Sequence, residues 1–302
     1  MATSSTRTGR TRREPLDRRI AGAPISWGVC EVPGWGYQME PSRVLSEMQA
    51  LGLAATEFGP DGFLPDDPME KCELLSAHSL RAVGGFVPLV LHDRSLDPHD
   101  DVERALKGFA AAGAGVLVVA AATGLEGYDQ RPELGQDDWT VVLQNLDRVV
   151  RQAADVGVTA TLHPHVGTVV ESQEEVWRVI EGSNVPLCLD TGHLLIGGTD
   201  PADLARQVSD RIAHTHLKDV DASWARRVRS REVAYTDAVR QGMYRRLGAG
   251  DVDIAGIVAV LESSGYQGWY VMEQDTILTS APDDEGPVVD VRAGVEFLRG
   301  LG

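Results

Sequence analysis

Cysteine is scarce in this sequence of 302 residues, and the three cysteines stand far apart. Cys30, Cys72 and Cys188 form no C-x-x-C pair and are odd in number. Disulfide frameworks use paired cysteines and zinc–thiolate sites use closely spaced ones, so neither is indicated. Long apolar runs are also missing, since none reaches the roughly 18 residues that a membrane-spanning helix requires. We therefore expect no membrane-spanning segment.

Basic residues are in short supply as well. The chain has 28 Lys and Arg against 45 Asp and Glu, which gives a formal net charge of −17. A surface of this sign repels phosphate backbones, which argues against nucleic-acid binding as the main task. We interpret the charge as serving solubility.

The first 19 residues are rich in Ser, Thr and Arg and lack the apolar core of a signal peptide. We predict that residues 1–19 form a disordered tail of a cytoplasmic protein. An arm that binds nucleic acid or a partner protein is the alternative interpretation.

Short apolar, β-branched runs alternate with longer amphipathic stretches along the rest of the chain. Eight runs are predicted strands: residues 20–28, 53–59, 81–91, 115–124, 158–167, 185–193, 211–220 and 268–275. The amphipathic stretches are predicted helices: residues 41–51, 68–78, 99–112, 138–155, 172–181, 201–209, 254–264 and 288–298. Near-continuous apolar runs are typical of parallel strands that are covered on both faces.

Eight strand–helix units predict an α/β fold with a parallel sheet, and closure into a barrel removes the sheet edges. We therefore predict a single-domain (β/α)8 TIM barrel over residues 20–302. Gly265 and Pro68 fit this arrangement, because glycine commonly ends a helix and proline commonly opens one. An open, doubly wound sheet is the alternative, but it needs a G-x-G-x-x-G loop after the first strand. Gly34 and Gly36 lack that spacing.

One connection is unusually long. Residues 221–250 carry seven arginines and no apolar run of strand type. A connection of this length indicates a functional excursion above the barrel, such as a lid or a substrate-binding segment. A solvated helix pair or a contact between copies of the chain explains it equally well, so homo-oligomer formation stays open.

Titratable side chains follow the last four predicted strands, at the barrel end where active sites of such folds gather. They are His163 and His165; Asp190 and His193; His214, His216, Lys218 and Asp219; and Glu273 and Asp275. Residues two apart on a strand share a face, so His163 and His165 are expected to point the same way. Imidazoles and carboxylates converging at one end predict a divalent metal site, and mixed nitrogen and oxygen ligation fits Mn, Co, Fe, Zn or Mg.

Several segments carry a family resemblance. TLHPHVGTVVES, CLDTGHLLIGGTDP, RIAHTHLKDV and GYQGWYVMEQD, with APISWG and AATEFGP near the start, resemble the inosose dehydratase branch of the xylose isomerase-like barrel superfamily. The resemblance covers nearly all of residues 20–298 and implies a sugar-phosphate isomerase/epimerase-type architecture with a divalent metal, commonly Mn or Co. It implies metal ligands at Asp190, His216 and Glu273, and a substrate contact at His193.

The chain departs from the wider superfamily on strand five. A glutamate ligand is usual there, but this position holds His163, which we predict to be the fourth ligand. Glu171 follows eight residues later, too far into the loop to replace it. Two opposed carboxylates are the natural device for moving a proton from one face of a substrate to the other. Their absence argues against simple epimerisation and is compatible with β-elimination.

The predicted reaction is therefore dehydration of a polyhydroxylated keto substrate, a keto-inositol such as an inosose, through a metal-stabilised enediolate. Glu273 or His163 is the expected base, and Lys218 or an imidazolium is expected to protonate the leaving hydroxyl or hold the oxyanion. His165, Glu57 and Trp27 are expected to contact substrate. A plain salt bridge is the alternative for Lys218, and barrel packing is the alternative for Trp27.

Three other functions stay open at this stage. An isomerase or epimerase would use the same metal site, and the fold alone does not separate the two reactions. A phosphodiester-cleaving repair enzyme would need a basic face, which a net charge of −17 disfavours. A non-enzymatic sugar-binding protein would need no metal. The exact substrate and the native metal are not defined by the sequence.

Overall fold

A computed structural model describes residues 14–302, in which eight parallel strands form a barrel surrounded by helices. The strands are β1 (Ile20–Gly22), β2 (Ala55–Thr56), β3 (Arg81–Ala82 and Gly84–Val90), β4 (Val116–Ala122), β5 (Thr159–Leu162), β6 (Leu187–Asp190), β7 (Ile212–Leu217) and β8 (Tyr270–Met272). The first strand pairs with the last, with Ile20 opposite Tyr270. The predicted TIM barrel is confirmed.

The ring closes through β3, which is split by a single residue, Val83. Its first segment, Arg81–Ala82, pairs with β2, and its second segment, Gly84–Val90, pairs with β4. Strand order around the barrel is β3-β2-β1-β8-β7-β6-β5-β4-β3, in which the first and last members are the two segments of the same strand. Gly84 sits at the seam, where a Cβ atom would lie 1.8 Å from the carbonyl oxygen of Val116. Only glycine allows so close an approach of the two backbones.

Helices cover the outside of the barrel. They are α1 (Pro41–Ala50), α2 (Pro68–Ala77), α3 (His99–Ala111), α4 (Gln136–Asp155), α5 (Gln173–Gly182), α6 (Thr191–Gly197), α7 (Pro201–Gln207), α8 (Ala222–Arg229), α9 (Tyr235–Arg240), α10 (Ile254–Ser264) and α11 (Val288–Arg299). The predicted end signals are present: Pro68 occupies the first turn of α2, and Gly265 ends α10 with a φ of 87°. Among the described helices, none is both long and apolar enough to cross a membrane.

The barrel interior changes character along its axis. Its lower part holds a cluster of small buried side chains: Ala21, Ala23, Ala55, Val83 and Val271. Because alternate residues of a strand share a face, the next inward positions above Ala55 and Val271 are Glu57 and Glu273. Small apolar side chains therefore fill the amino-terminal half of the interior, and titratable side chains fill the carboxyl-terminal half.

The excursion at residues 221–250 folds as α8, α9 and a short hairpin. Tyr244–Arg245 returns antiparallel to Asp219–Val220, which directly follows β7. The buried Asp219 carboxylate accepts backbone N–H groups of Gly248 and Gly250, both at 2.9 Å, and so fixes the returning chain. The arginines of the excursion are exposed or half-buried, so its outer face is solvated. Its inner face carries buried tyrosines instead.

Some predicted boundaries differ from the structure. The predicted strand at residues 185–193 is too long, because the Asp190 side chain accepts the His193 N–H and starts α6 there. The predicted tail ended at Arg19, and its first 13 residues lie outside the described part of the chain. Leu16–Arg19 forms a 3-10 turn in which Leu16 and Arg19 are buried, so ordered structure begins before β1.

Candidate active site

The carboxyl ends of β5, β7 and β8 contribute to the wall of one cavity of about 720 Å³. Six of the titratable groups that follow these strands line it: His163, His165, His216, Lys218, Glu273 and Asp275. The sequence-based expectation that they converge is therefore met by the geometry. The cavity is closed from below by the barrel interior and bordered above by loops that follow β1 and β2.

Asp190 forms the buried floor of the cluster and uses its two oxygens differently. Oδ1 accepts the backbone N–H of His193 at 2.7 Å, which caps α6 and fixes the carboxylate. Oδ2 lies 3.1 Å from His163 Nε2, and 3.7 Å from both His216 Nδ1 and Lys218 Nζ. Asp190 is therefore a helix cap and the meeting point of three site residues.

Glu57 orients two histidines of β7. Its Oε1 accepts from His214 Nε2 at 2.8 Å and from His216 Nε2 at 2.9 Å. Burial alone would raise the pKa of Glu57, but the two imidazoles hold the pKa below its usual range. With Nε2 of His216 committed to this carboxylate, only Nδ1 faces the cavity floor.

Nδ1 of His216 faces two carboxylates at the cavity floor. This atom is buried without a hydrogen-bond partner, 3.3 Å from Glu273 Oε2 and 3.7 Å from Asp190 Oδ2. Despite burial, the neighbouring acidic groups Cys188, Glu273 and Glu57 hold the pKa of His216 well above its usual range. Either a proton or a cation therefore stabilises this point.

The donor set fits a divalent cation. One ligand atom from each of Asp190, His216 and Glu273 lies within 4.8 Å of the others, and all three residues are buried. His163 reaches the same Asp190 oxygen, and burial lowers the pKa of His163 to about 3, so its imidazole is neutral. A carboxylate that holds the far nitrogen of a metal-binding histidine, as Glu57 holds His216, is the usual support for such a ligand.

Lys218 places an ammonium group among carboxylates. Its Nζ lies 2.6 Å from Asp275 Oδ1 and 3.0 Å from Glu273 Oε2, and 3.1 Å from His193 Nε2. Burial disfavours the charged form, but the surrounding carboxylates, led by Asp275, hold the pKa of Lys218 well above its usual range. Lys218 is therefore a charged group at the cavity wall.

Glu273 is the carboxylate best placed to act on a bound molecule. It lines the cavity between Lys218 and His216. Burial raises the pKa of Glu273, against the opposing effects of the two cationic neighbours. A carboxylate with a raised pKa accepts a proton more readily, as a general base requires.

His165 stands in the cavity wall between two aromatic rings. Its ring lies 3.6 Å from that of His193 and 5.6 Å from that of Tyr128, measured between centroids. Nδ1 donates to the carbonyl oxygen of Val166 at 2.7 Å, which leaves the lone pair on Nε2. His165 is thus a neutral acceptor that suits a substrate hydroxyl, and burial lowers its pKa to about 4.

Two predicted substrate contacts lie elsewhere. Trp27 is fully buried and donates from its indole N–H to Glu47 Oε2 at 2.7 Å, so it packs the barrel wall and does not line the cavity. Trp35, which follows Trp27 by eight residues in the chain, does line the cavity. His193 is not among the lining residues, because the ring of His165 covers it from the cavity side. Glu57 lines the cavity, but its Oε1 is shared by the two histidines of β7.

Glu171 stays out of the cluster, as expected from its place in the loop. Its carboxylate accepts the backbone N–H of Gly167 at 2.7 Å and lies 3.6 Å from Arg131. His163 therefore occupies the strand-five position alone.

Sequence reasoning missed Tyr128, which lines the cavity, and two further tyrosines that are linked to Asp275. Tyr235 and Tyr244 come from the excursion, and the Tyr235 hydroxyl donates to Asp275 Oδ2 at 2.6 Å. The alternation of apolar runs gives no signal for them, because α9 is only six residues long. Their presence inside an otherwise arginine-rich segment was the one available signal.

Comparison with known proteins identifies similar chains. The model of the family described as xylose isomerase-like TIM barrel matches residues 45–301. The chain is 33% identical over 275 residues to an inosose dehydratase of Geobacillus kaustophilus, covering 85% of this chain and 87% of that one. It is 31% identical over 303 residues to the rhizopine catabolism protein MocC of Rhizobium meliloti, covering 95% and 89%. The solved structure of the probable 3-DHS dehydratase AsbF of Bacillus anthracis superimposes with a TM-score of 0.67 at 12% identity, covering 93% of this chain and 98% of that one.

Proposed function

The chain belongs to the xylose isomerase-like TIM barrel family, and we propose that it removes water from a keto-inositol such as an inosose. The similarity to an inosose dehydratase along most of both chains supports this substrate class. One observation carries the reaction type: Lys218 Nζ lies 3.0 Å from Glu273 Oε2 at the cavity wall, while the strand-five position holds His163. A cationic acid beside a carboxylate base suits elimination of water better than inversion of a carbon centre.

Four side chains would hold the divalent cation that we propose for this site: His163, Asp190, His216 and Glu273. Two imidazole nitrogens and two carboxylates suit a first-row divalent ion, and we propose Mn²⁺ or Co²⁺ ahead of Mg²⁺, Zn²⁺ or Fe²⁺. When bound, a cation of this kind supplies Lewis-acid polarisation of a carbonyl oxygen and so acidifies the neighbouring C–H bond.

Glu273 then acts as the base. It takes the proton from the carbon next to the carbonyl, and the electrons of that C–H bond form the new carbon–carbon double bond. Its contact with Lys218 keeps the carboxylate oriented toward the cavity. His163 is the second candidate for this step, but its Nε2 faces Asp190 instead.

Lys218 acts as the acid in the same reaction. As the C–O bond to the β-hydroxyl breaks, Nζ delivers a proton to the departing oxygen, and one water molecule leaves. The product is the enol of a 1,2-diketone. The one N–H of His165 is committed to the carbonyl oxygen of Val166, whereas the ammonium of Lys218 lies at the cavity wall, so Lys218 is the group from which the proton is supplied.

An isomerase or epimerase is the second candidate function, and His165 is the observation that favours it. Its Nε2 is free to exchange a proton with a substrate, since Nδ1 is committed to Val166. A base at Glu273 and a second proton-transfer group at His165 would allow a proton to return at a different position.

A mass-resolved assay with a panel of keto-inositols tests the proposal. We expect a product lighter than the substrate by the mass of one water, with the ultraviolet absorption of a conjugated diketone. A product of unchanged mass would instead establish isomerisation or epimerisation. Recovery of every substrate unchanged, by protein shown to carry a divalent metal, would contradict both functions.

Glu57→Gln is expected to weaken divalent-metal binding by roughly 10-fold to 100-fold, because the amide holds His216 less firmly than the carboxylate does. Calorimetric titration of the metal-free protein with Mn²⁺ measures this affinity directly. Glu175→Gln is the matched control, since Glu175 caps α5 and bonds to Arg131 away from the cavity. Equal Mn²⁺ affinity in Glu57→Gln and wild type would contradict the assignment of Glu57 to this supporting role.

A further inference from the structure

A run of buried hydrogen bonds joins the excursion to Lys218. The hydroxyls of Tyr244 and Tyr235 lie 2.9 Å apart, and Tyr235 donates to Asp275 Oδ2 at 2.6 Å. The other oxygen of Asp275 accepts from Lys218 Nζ at 2.6 Å. An ionised carboxylate only accepts, so the proton of Tyr235 points to Asp275 and Tyr244 must donate to Tyr235. The hydrogen bonds therefore run in one direction, from the excursion to Asp275.

This arrangement limits where the ammonium can go. A lysine side chain is long and flexible, and its compact charge imposes no preferred direction on a carboxylate partner. Glu273 Oε2 at 3.0 Å and Asp190 Oδ2 at 3.7 Å both compete for Lys218 Nζ. Asp275 binds the ammonium at a shorter distance than either, and it is held in turn by Tyr235. Asp275 therefore holds the ammonium in one position, within 3.0 Å of the proposed base.

We propose that Asp275 and Tyr235 are positioning residues for Lys218, and that residues 221–250 serve the reaction by supplying the tyrosine that fixes Asp275. This inference rests on the function proposed above and extends it, because it gives the excursion a role in aligning the proton donor. All four side chains of the run are at least nine-tenths buried, so water does not compete for these hydrogen bonds.

Asp275→Asn and Tyr235→Phe are expected to lower kcat by roughly 10-fold to 100-fold, since a donor displaced by about 1 Å costs a rate factor of this order. KM and metal content should stay near the wild-type values, because neither residue is a proposed ligand or substrate contact. Tyr244→Phe should lower kcat less, because Tyr244 is one hydrogen bond farther from Lys218 than Tyr235 is. Tyr266→Phe is the matched control: it also removes a buried tyrosine hydroxyl bond, to Trp269 O at 2.7 Å, but before β8 at the opposite end of the barrel.

A double-mutant comparison separates positioning from a structural role. With Lys218→Met in place, adding Tyr235→Phe should cost no further activity, because both changes remove the same aligned donor. If Tyr235→Phe lowered kcat in the Lys218→Met background by the same factor as in the wild type, the inference would be overturned. A fall in thermal stability for Tyr235→Phe with kcat unchanged would overturn it as well.

Lysine acylation gives a readout that needs no turnover. The chain has three lysines, and Lys71 and Lys107 serve as internal references on outer helices. Peptide mass spectrometry after treatment with acetic anhydride should show slow reaction at Lys218 in wild type and faster reaction in Asp275→Asn. If no keto-inositol is dehydrated but this change occurs, the proposed function fails and the positioning role stands. If dehydration proceeds and neither kcat nor acylation responds, only the positioning role fails.

Discussion

Glu273→Gln is expected to lower kcat/KM for dehydration by roughly 100-fold to 10,000-fold, the contribution typical of a general base. The amide has nearly the shape of the carboxylate, so the cavity should keep its form, but the amide cannot take a proton from carbon. Glu273 lies between Lys218 and His216, so the substitution also removes a negative charge from between two cationic groups. Steady-state kinetics with a keto-inositol, together with metal analysis of the same sample, measures both consequences.

The pattern of these two measurements distinguishes the roles of Glu273. Loss of turnover with metal retained identifies the residue as the base. Loss of turnover with loss of metal, restored by a high concentration of Mn²⁺, identifies it chiefly as a ligand. Turnover within a few-fold of wild type would remove Glu273 from the mechanism. Glu47→Gln is the control, because Glu47 bonds to Trp27 and Arg43 on the outer side of the barrel and should leave kcat unchanged.

The fold was predictable because parallel strands leave a strong pattern. Runs such as residues 115–124 are apolar at nearly every position, since β4 is covered by helices outside and by the barrel interior inside. The placement of the titratable groups followed from the same pattern, because the carboxyl ends of all strands must meet at one end of a closed barrel. His214 and His216 do share a face and bind the same carboxylate, as alternation along β7 requires.

What the sequence did not reveal depends on long-range contacts. Asp190 ends its strand and caps α6, and no local pattern distinguishes a capping carboxylate from a ligand. Trp27 follows a strand like the other site candidates, yet its indole turns outward to Glu47. Tyr235 meets Asp275 forty residues away, through a segment whose irregular composition predicts neither strand nor helix. For Trp27 and Tyr235 the partner decides the role, and that partner is distant in the chain.

Removal of the cation is expected to abolish dehydration and also to lower the stability of the protein. Among the described residues of this site, four buried carboxylates belong to one cluster: Glu57, Asp190, Glu273 and Asp275. Lys218 supplies the one ammonium of this cluster, so carboxylates outnumber cationic groups even when His216 is protonated. Burying uncompensated charge is costly, so protons must be taken up or a cation bound. Dialysis against EDTA should therefore eliminate turnover, and addition of Mn²⁺ or Co²⁺ should restore it.

Asp190→Asn is the variant that should fail to respond to added metal. Asp190 is fully buried, and its Oδ2 faces His163 and His216, so the substitution removes an anionic oxygen at the centre of the donor set. Asparagine can still accept the His193 N–H through its side-chain carbonyl, so α6 keeps its cap and the barrel should fold.

At a metal concentration about 100-fold above Kd, binding should stabilise the wild type by about 2.7 kcal/mol. Thermal unfolding of the metal-free protein, with and without added Mn²⁺, should show this stabilisation in the wild type and not in Asp190→Asn. An equal Mn²⁺-induced rise in Tm for both proteins would place the cation elsewhere, and the catalytic roles assigned to His163, His216 and Glu273 as its ligands would have to be abandoned with it.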